Sequence, residues 1–499
     1  MADLHLSIDR AAGGIAGQIA RELRAAVRHG RLAAGERLPA SRELARDLGF
    51  SRGVVVEAYE QLVAEGFLIS KVGAGTRVAP MACRAPAGSG GAPDPGAPDP
   101  GAPDPGAPDP GSPAHECAYG RRPTSPDLRS FPRERWLASV RRALAALPAD
   151  ALDYGDPGGV PELREELAGY LRRVRGADVT PENLVIVGGV AQGLSLTVQA
   201  LAGRLSPTGR SGENLSWFVD GDARAAPRPG RIRLAVEDPT GLRQLPLLRS
   251  AGADPVAVPV DEEGVDVGAL AATGVRAVLL TPAHHYPTGV VLSPRRRAEL
   301  IEWAAAAGAT ILEDDYDAEF RFDRDPVGCL QGLAPDRVVL AGSVSKSLAP
   351  GLRLGWVAAP PEIAGAVRRG RAEVDMGSPV LEQYALADFV RSGAYDRHLR
   401  RMRREYRTRR DTLVRALAEH LPEITVHGVS AGLHLLAELP EDWDERAAAR
   451  AAQECGLAAE PVGPMRHRPG PPALVVGFAR LPVHHAGEVV RAVAERVPR

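Results

Sequence analysis

Lysine is nearly absent from this chain: among 61 Lys and Arg residues, only Lys71 and Lys346 are lysine. Lys346 stands in GSVSKSLAPGLRLGW, Gly342 to Trp356, between two serines and seven residues before Arg353. Arginine serves wherever positive charge alone is wanted. It cannot replace a primary amine that must bond to a carbonyl, because the guanidinium stays protonated and forms no Schiff base. A lysine kept against such a strong arginine bias therefore points to covalent chemistry, with an ordinary surface lysine as the plain alternative.

Other residues of chemical interest stand where apolar runs end. Gly188-Gly189 closes NLVIVGG, His284-His285 follows RAVLLTP, Asp314-Asp315-Tyr316 closes ATILEDDY, and Ser343 to Lys346 follow RVVLAG. These short runs read as buried strands, separated by helical or turn segments such as PELREELAGYLRRV. Apolar strands alternating with helices predict an α/β fold with a mostly parallel sheet, whose ligands bind at the carboxyl ends of strands.

The groups gathered there fit one ligand. A lysine offers a Schiff base to an aldehyde. Ser343, Ser345, Arg353 and free N–H groups after a Gly-Gly strand end suit a phosphate. An aspartate at a strand end keeps a pyridine nitrogen protonated, and a tyrosine two residues on can bond a phenolic oxygen. Aldehyde, phosphate, pyridine nitrogen and phenol together describe pyridoxal 5'-phosphate (PLP). Asp314 is the aspartate favoured here; Asp315 and Asp317 read as solvated or capping groups, and His284 and His285 as pocket lining. Loop caps are the plainer reading of Ser343 and Ser345.

Composition sets the frame for these sites. A chain of 499 residues exceeds one compact core and predicts two or three domains. A net charge of −2 excludes wholesale coating of nucleic acid, so any such contact needs a local patch. Cys83, Cys117, Cys329 and Cys455 are scattered, with no zinc-type spacing, which suits a reducing cytoplasm and predicts no metal. No signal peptide and no membrane-spanning apolar run is read. Between Gly91 and Gly111 the five-residue repeat GAPDP cannot bury a core and favours extended polyproline II. The expected organisation is a small module over 1–80, a spacer over 81–126 and a large module over 127–499.

In the small module, Ile15, Ile19, Leu23 and Val27 recur four apart, a helical stripe. A second helix is expected from Ser41 as N-cap, with Leu44 and Leu48 inward and Gly49 as its stop. A third starts after Ser51 and carries Val55, Tyr59, Leu62 and Val63. FLISKVGAGTRVAP then reads as two short strands about glycines. Three helices and a hairpin make a winged helix-turn-helix, in which the third helix enters the major groove and the wing reaches the backbone or minor groove. With 11 basic and 9 acidic residues over 1–80, charge alone does not argue for DNA. A helical module that docks protein is the alternative.

GERLPASRELARDLGFSRGVVVEAYEQLVAEGFL resembles the GntR family of bacterial repressors. By that likeness Arg42, Ser51 and Arg52 contact DNA, and Lys71, Gly73, Gly75 and Thr76 form the wing. Gly53 and Val54 stand where the family usually carries two hydroxyl residues, and Gly53 weakens its helix by about 1 kcal/mol relative to alanine. More of the affinity is then expected from phosphate contacts. Beyond the spacer, YGDPGGVPELREELAGYLRRVRG, TPAHHYPTGVVLSPRRR, ILEDDYDAEFRF, SVSKSLAPGLRLGW, HLRRMRREYRTRR and SAGLH resemble a fold-type I aminotransferase with a C-terminal α+β small domain. The two modules in this order resemble the MocR/GabR-like branch of GntR regulators. The resemblance implies Lys346 as the Schiff-base lysine, Asp314 at the pyridine nitrogen and Tyr316 near the phenolic oxygen. It further implies a phosphate cradle of Ser343, Ser345, Arg353, Val190 and Ala191, and a homodimer in which Tyr154 reaches the neighbour's phosphate.

The match has gaps. Thr240 follows strand RLAVEDP where the family places a ring-stacking aromatic, so another group, such as a neighbouring histidine, is expected to stack, or the cofactor is held less tightly. The usual paired glutamines are reduced to Gln192. Residues 204–230 read as a surface insertion. Arg466, Arg468 and Arg480 fall near the place of a substrate-carboxylate arginine, with Arg466 and Arg480 the candidates carried forward. The expectation is a PLP-dependent transcriptional regulator that binds a double-stranded operator and senses PLP or an amino compound. A working aminotransferase with a DNA-binding appendage and a cofactor-free dimerisation scaffold are its rivals.

Overall fold

The computed structural model describes residues 6, 8–10, 14–29, 31–71, 75–79, 122–205, 230–322, 328–428 and 430–497. The repeat spacer through residue 121, Gly73 and most of the 204–230 insertion lie outside them.

Helix α1 (Ile15–Arg28) buries Ile19, Leu23 and Val27, the stripe expected from their spacing. Helix α2 (Ser41–Leu48) begins one residue later than the sequence suggests: Ala40 is its N-cap and Ser41 its first helical residue. Glu43 compensates by accepting the Ala40 N–H at 3.1 Å, which satisfies a donor the helix start would leave open. Gly49 ends α2 in the left-handed region at φ 68°, where glycine carries no steric penalty. Helix α3 (Arg52–Ala64) packs Val55, Tyr59 and Leu62 inward. Strands β1 (Leu68–Lys71) and β2 (Gly75–Val78) pair antiparallel as the wing.

The large module is built on an eight-stranded sheet. Its strands are β3 (Leu184–Val187), β4 (Ile232–Asp238), β5 (Ala253–Asp261), β6 (Gly264–Val265), β7 (Ala277–Leu280), β8 (Thr310–Asp315), β9 (Val338–Ser343) and β10 (Gly355–Ala358). Their spatial order is β3-β10-β9-β8-β7-β4-β5-β6. The five neighbours from β9 to β5 run parallel; β10 lies antiparallel between β9 and β3, and β6 closes a hairpin on β5. β3, β7, β8, β9 and β10 are buried along their whole length, as helices on both faces of a parallel sheet require. Four further strands, β11 (Thr425–His427), β12 (His434–Glu438), β13 (Ala458–Pro461) and β14 (Ala473–Gly477), form an antiparallel sheet in the order β11-β12-β14-β13, the small domain.

The arginine-rich segment lies in the helix Ala394–His420. It buries Leu399, Met402 and Tyr406 along one face, and several of its arginines are structural: Arg403 donates to the Glu319 carbonyl and Arg407 to that of Phe322. Among the described residues no helix is long and apolar enough to cross a membrane.

Candidate cofactor and DNA sites

The carboxyl ends of β3, β4, β7, β8 and β9 open on one cavity of about 780 Å³. Lys346 lies in the turn after β9, half-buried, and its Nζ donates to Thr124 Oγ1 at 3.1 Å. Burial lowers its pKa, against the pull of Asp317 and Asp314, and Arg122 adds to the lowering. A lysine shifted this way holds more of the neutral amine that attacks a carbonyl.

Asp314, at the end of β8, is buried and faces the cavity. Its Oδ2 accepts a 2.9 Å bond from Gln244, while Oδ1 has no hydrogen-bond partner among the described residues. Burial, reinforced by Asp315, pushes its carboxyl up to about 7. A buried carboxylate with one open oxygen is a receptor for a cationic N–H.

At the cavity's other end, Gly189 at φ 115° turns the chain from β3 into the helix Val190–Leu201, whose N-terminus looks into the cavity. The Arg353 guanidinium lies 3.3 Å from where a Cβ on Gly189 would stand, and a Cβ on Gly355 would sit 2.7 Å from the Gly342 carbonyl. The glycines therefore permit the close approach that brings Val190, Ala191, Ser343, Ser345 and Arg353 to one wall. Open N–H groups, helix dipole and guanidinium together favour an oxyanion there. Gln192 turns away instead: its Oε1 accepts from the Gly188 N–H at 2.7 Å and its Nε2 donates to Asp375 at 2.6 Å.

Tyr316 lines the cavity, with its hydroxyl 3.2 Å from His284 Nδ1. His284 Nδ1 also lies 3.0 Å from Asp317 Oδ2, so a hydrogen-bonded couple fixes the phenol from behind. His284, Asp317 and His434 bring ligand-type atoms within 4.8 Å of one another there, a convergence no sequence spacing signals. The histidines are not pocket lining: both are buried one layer behind the wall, with His285 3.6 Å from Glu237. Asp315 is neither solvated nor a cap, since it is buried in a pair with Arg175 at 2.7 Å. Asp317 is likewise buried against His284.

The aromatic missing at Thr240 has a counterpart nearby. Tyr286 lines the cavity, and its ring edge lies 3.4 Å from where a Cβ on Gly241 would stand. Its hydroxyl bonds Glu460 of β13 at 3.2 Å. Arg466 and Arg480 do not line the cavity; Arg466 instead binds the Pro471 carbonyl. The arginines at the cavity are Arg122, Arg243 and Arg353. Arg122 and Thr124 fall within the spacer bounds that the sequence suggests, yet they belong to this wall. Tyr154 does not line its own chain's cavity and is 81% exposed.

In the small module, Arg42, Ser51, Arg52 and Gly75 are exposed and Thr76 is half-buried. Arg52 Nε reaches Ser41 Oγ at 3.5 Å, so the starts of α2 and α3 are adjacent. Lys71 ends β1, its side chain outside the described set, and Gly73 lies outside altogether.

Comparison with known proteins supports both halves. Residues 15–78 match the family of bacterial regulatory proteins, gntR family, and residues 240–497 match aminotransferase class I and II. The probable rhizopine catabolism regulatory protein MocR of Rhizobium meliloti is 31% identical over 468 residues, 93% of this chain and 89% of that protein. The HTH-type pyridoxine biosynthesis transcriptional regulator PdxR of Corynebacterium glutamicum is 32% identical, with 85% and 84% covered. Among solved structures, the multiple substrate aminotransferase of Thermococcus profundus superposes with a TM-score of 0.64 at 25% identity, covering 76% of this chain and 90% of that one.

Proposed function

From the premise that the chain belongs to the MocR/GabR-like branch of the GntR transcriptional regulators, we propose that its large module holds PLP and reports occupancy to an operator-binding head. The carrying observation is the convergence, in one cavity, of Lys346, the open Oδ1 of Asp314, Tyr316 and an anion-favouring helix start with Arg353.

Each of these residues has a task. Lys346 would supply the primary amine that meets the aldehyde. Asp314 would hold the protonated pyridine nitrogen through its open Oδ1, while Gln244 keeps the other oxygen occupied. Tyr316, braced by His284 and Asp317, donates to the phenolic oxygen. Ser343, Ser345, Arg353, Val190 and Ala191 hold the phosphate, and Tyr286 supplies apolar wall in place of an aromatic at position 240. When bound, PLP supplies an electrophilic carbon to which a second amine can add. The outer part of the cavity, with Arg122, Arg243, Tyr286 and Glu460, has room and charge for an amino compound. A change in what fills it biases the head between two placements.

In the head, Arg42, Ser51 and Arg52 meet DNA at the adjoining starts of α2 and α3, with Lys71, Gly75 and Thr76 on the strands of the wing. Residues 1–80 form the DNA-binding domain and 127–499, with Arg122 and Thr124, the PLP domain. The working unit is a homodimer in the cytoplasm, in which the exposed Tyr154 reaches the partner's phosphate. Sensing rather than turnover is its role. The test selects DNA from a random pool with the full chain, with and without PLP. One enriched sequence whose retention changes with PLP supports the reading; indiscriminate retention refutes it.

A further inference from the structure

The last three residues of β8 divide their attention. Asp314 faces the cavity, while its neighbours Glu313 and Asp315 point to the sheet's other face, as strand alternation requires. There Asp315 is clamped by Arg175, with Nε to Oδ2 at 2.7 Å and a second nitrogen to Oδ1 at 2.8 Å, both side chains buried. Glu313 accepts the N–H groups of Leu330 and Gln331 at 3.0 and 3.1 Å. The Arg175 carbonyl accepts the Cys329 N–H at 2.8 Å, and Gln331 exchanges two bonds with the backbone of Asp178. Segments 175–178 and 328–333 are thus tied to each other and to the strand that carries Asp314.

These two segments are also the seat of the DNA-binding head. Arg28, at the end of α1, donates to the carbonyls of Gly176, of Ala177 at 3.4 Å and of Gly332 at 2.7 Å. Leu333 packs on the head's core, and a Cβ on Gly328 would fall 2.9 Å from Glu65, itself buried against Arg24. Resting on the PLP-sensing reading above, we infer that Arg175 is a positioning residue. It joins the cofactor's aspartate to the seat of α1, so that filling the cavity against Asp314 tightens or loosens the head. Its carboxylate partner adjoins Asp314 and its carbonyl holds the seat, so a shift of β8 cannot leave both unchanged. Interactions of this density behave as alternative packings rather than as a soft gradient.

The test is hydrogen exchange on the full-length protein with and without PLP, beside DNA affinity for Arg175→Lys and Arg28→Ala. In the wild type, PLP alters exchange at 343–346, 328–333 and α1 together, and changes the DNA dissociation constant by roughly five- to a hundredfold. Arg28→Ala, remote from the cavity, keeps the PLP absorption and the response at 343–346 but reduces that DNA effect to less than about twofold. Arg175→Lys does the same and also changes the exchange of 328–333. The inference is overturned if PLP alters exchange at 343–346 while 328–333 and α1 stay unchanged, or if either Arg28→Ala or folded Arg175→Lys transmits the full DNA effect. No PLP response at 343–346 in the wild type removes the sensing reading itself, and this inference with it.

Discussion

Lys346 Nζ and Thr124 Oγ1 lie 3.1 Å apart, so the chain just emerging from the proline-rich spacer touches the lysine of the cavity. The spacer therefore ends in the cavity wall rather than at its outside. Thr124→Val removes the hydrogen bond while keeping the shape. PLP affinity should change by about fivefold, the worth of one neutral hydrogen bond, with the fold intact. A titration of the visible absorbance measures it, and no change would mean the contact is incidental.

Asp314 should give the empty protein a pH-dependent stability. Its carboxyl is raised from 3.8 to about 7 by burial and then by Asp315. Between those values the folded chain keeps a proton that the unfolded chain has released, so stability falls as pH rises through that window. Asp314→Asn should flatten this limb by up to a few kcal/mol and abolish tight PLP binding. Glu237, Glu313 and Glu319, also raised to about 7 by burial, leave a residual slope of the same sign, while His285 and His398, lowered by burial to about 3 and about 4, oppose it. Urea midpoints from pH 4 to 8 test the sign; an unchanged slope in the variant would contradict it.

Glu460 should set the charge preference of the outer cavity. Burial raises its pKa, while the Tyr286 hydroxyl and Arg122 act the other way. Glu460→Gln should weaken the spectral response of PLP-loaded protein to diamines by about tenfold, the scale of a charged hydrogen bond. The response to ω-amino acids of equal length should not fall. A parallel loss for both classes would assign Glu460 to packing alone.

Arg42→Ala and Arg52→Ala should weaken DNA binding across sequences and each lower the slope of log affinity against log salt by about 1. Ser51→Ala should leave that slope unchanged. Anisotropy titrations at several salt concentrations separate these cases, and an unchanged slope for both arginines would place the DNA face elsewhere.

The head was legible because Ile19, Leu23, Val27, Val55 and Tyr59 recur at helical spacing and bury what that spacing implies. Lys346, Asp314, Tyr316 and Arg353 were legible because each sits in or beside a strand end, within a short local pattern. The rest of the cavity comes from chain far away in sequence, and periodicity is blind to it. Glu460 arrives on β13 and bonds Tyr286 across 174 positions. Arg122 sits beside a low-complexity repeat that hides it. Arg466 and Arg480 stand near the expected position in sequence but fall outside the wall. His284 and His285 lie behind it, buried against Asp317 and Glu237, carboxylates that no local pattern pairs with them.

Every role given to the cavity depends on the capture of PLP by Lys346. Purified protein mixed with PLP, beside Lys346→Ala, should show the visible band of a protein-bound Schiff base in the wild type alone. The alanine variant should bind PLP more weakly and without that band. If the two spectra are the same, Lys346 is not the capturing amine and the cavity does not serve as a PLP sensor.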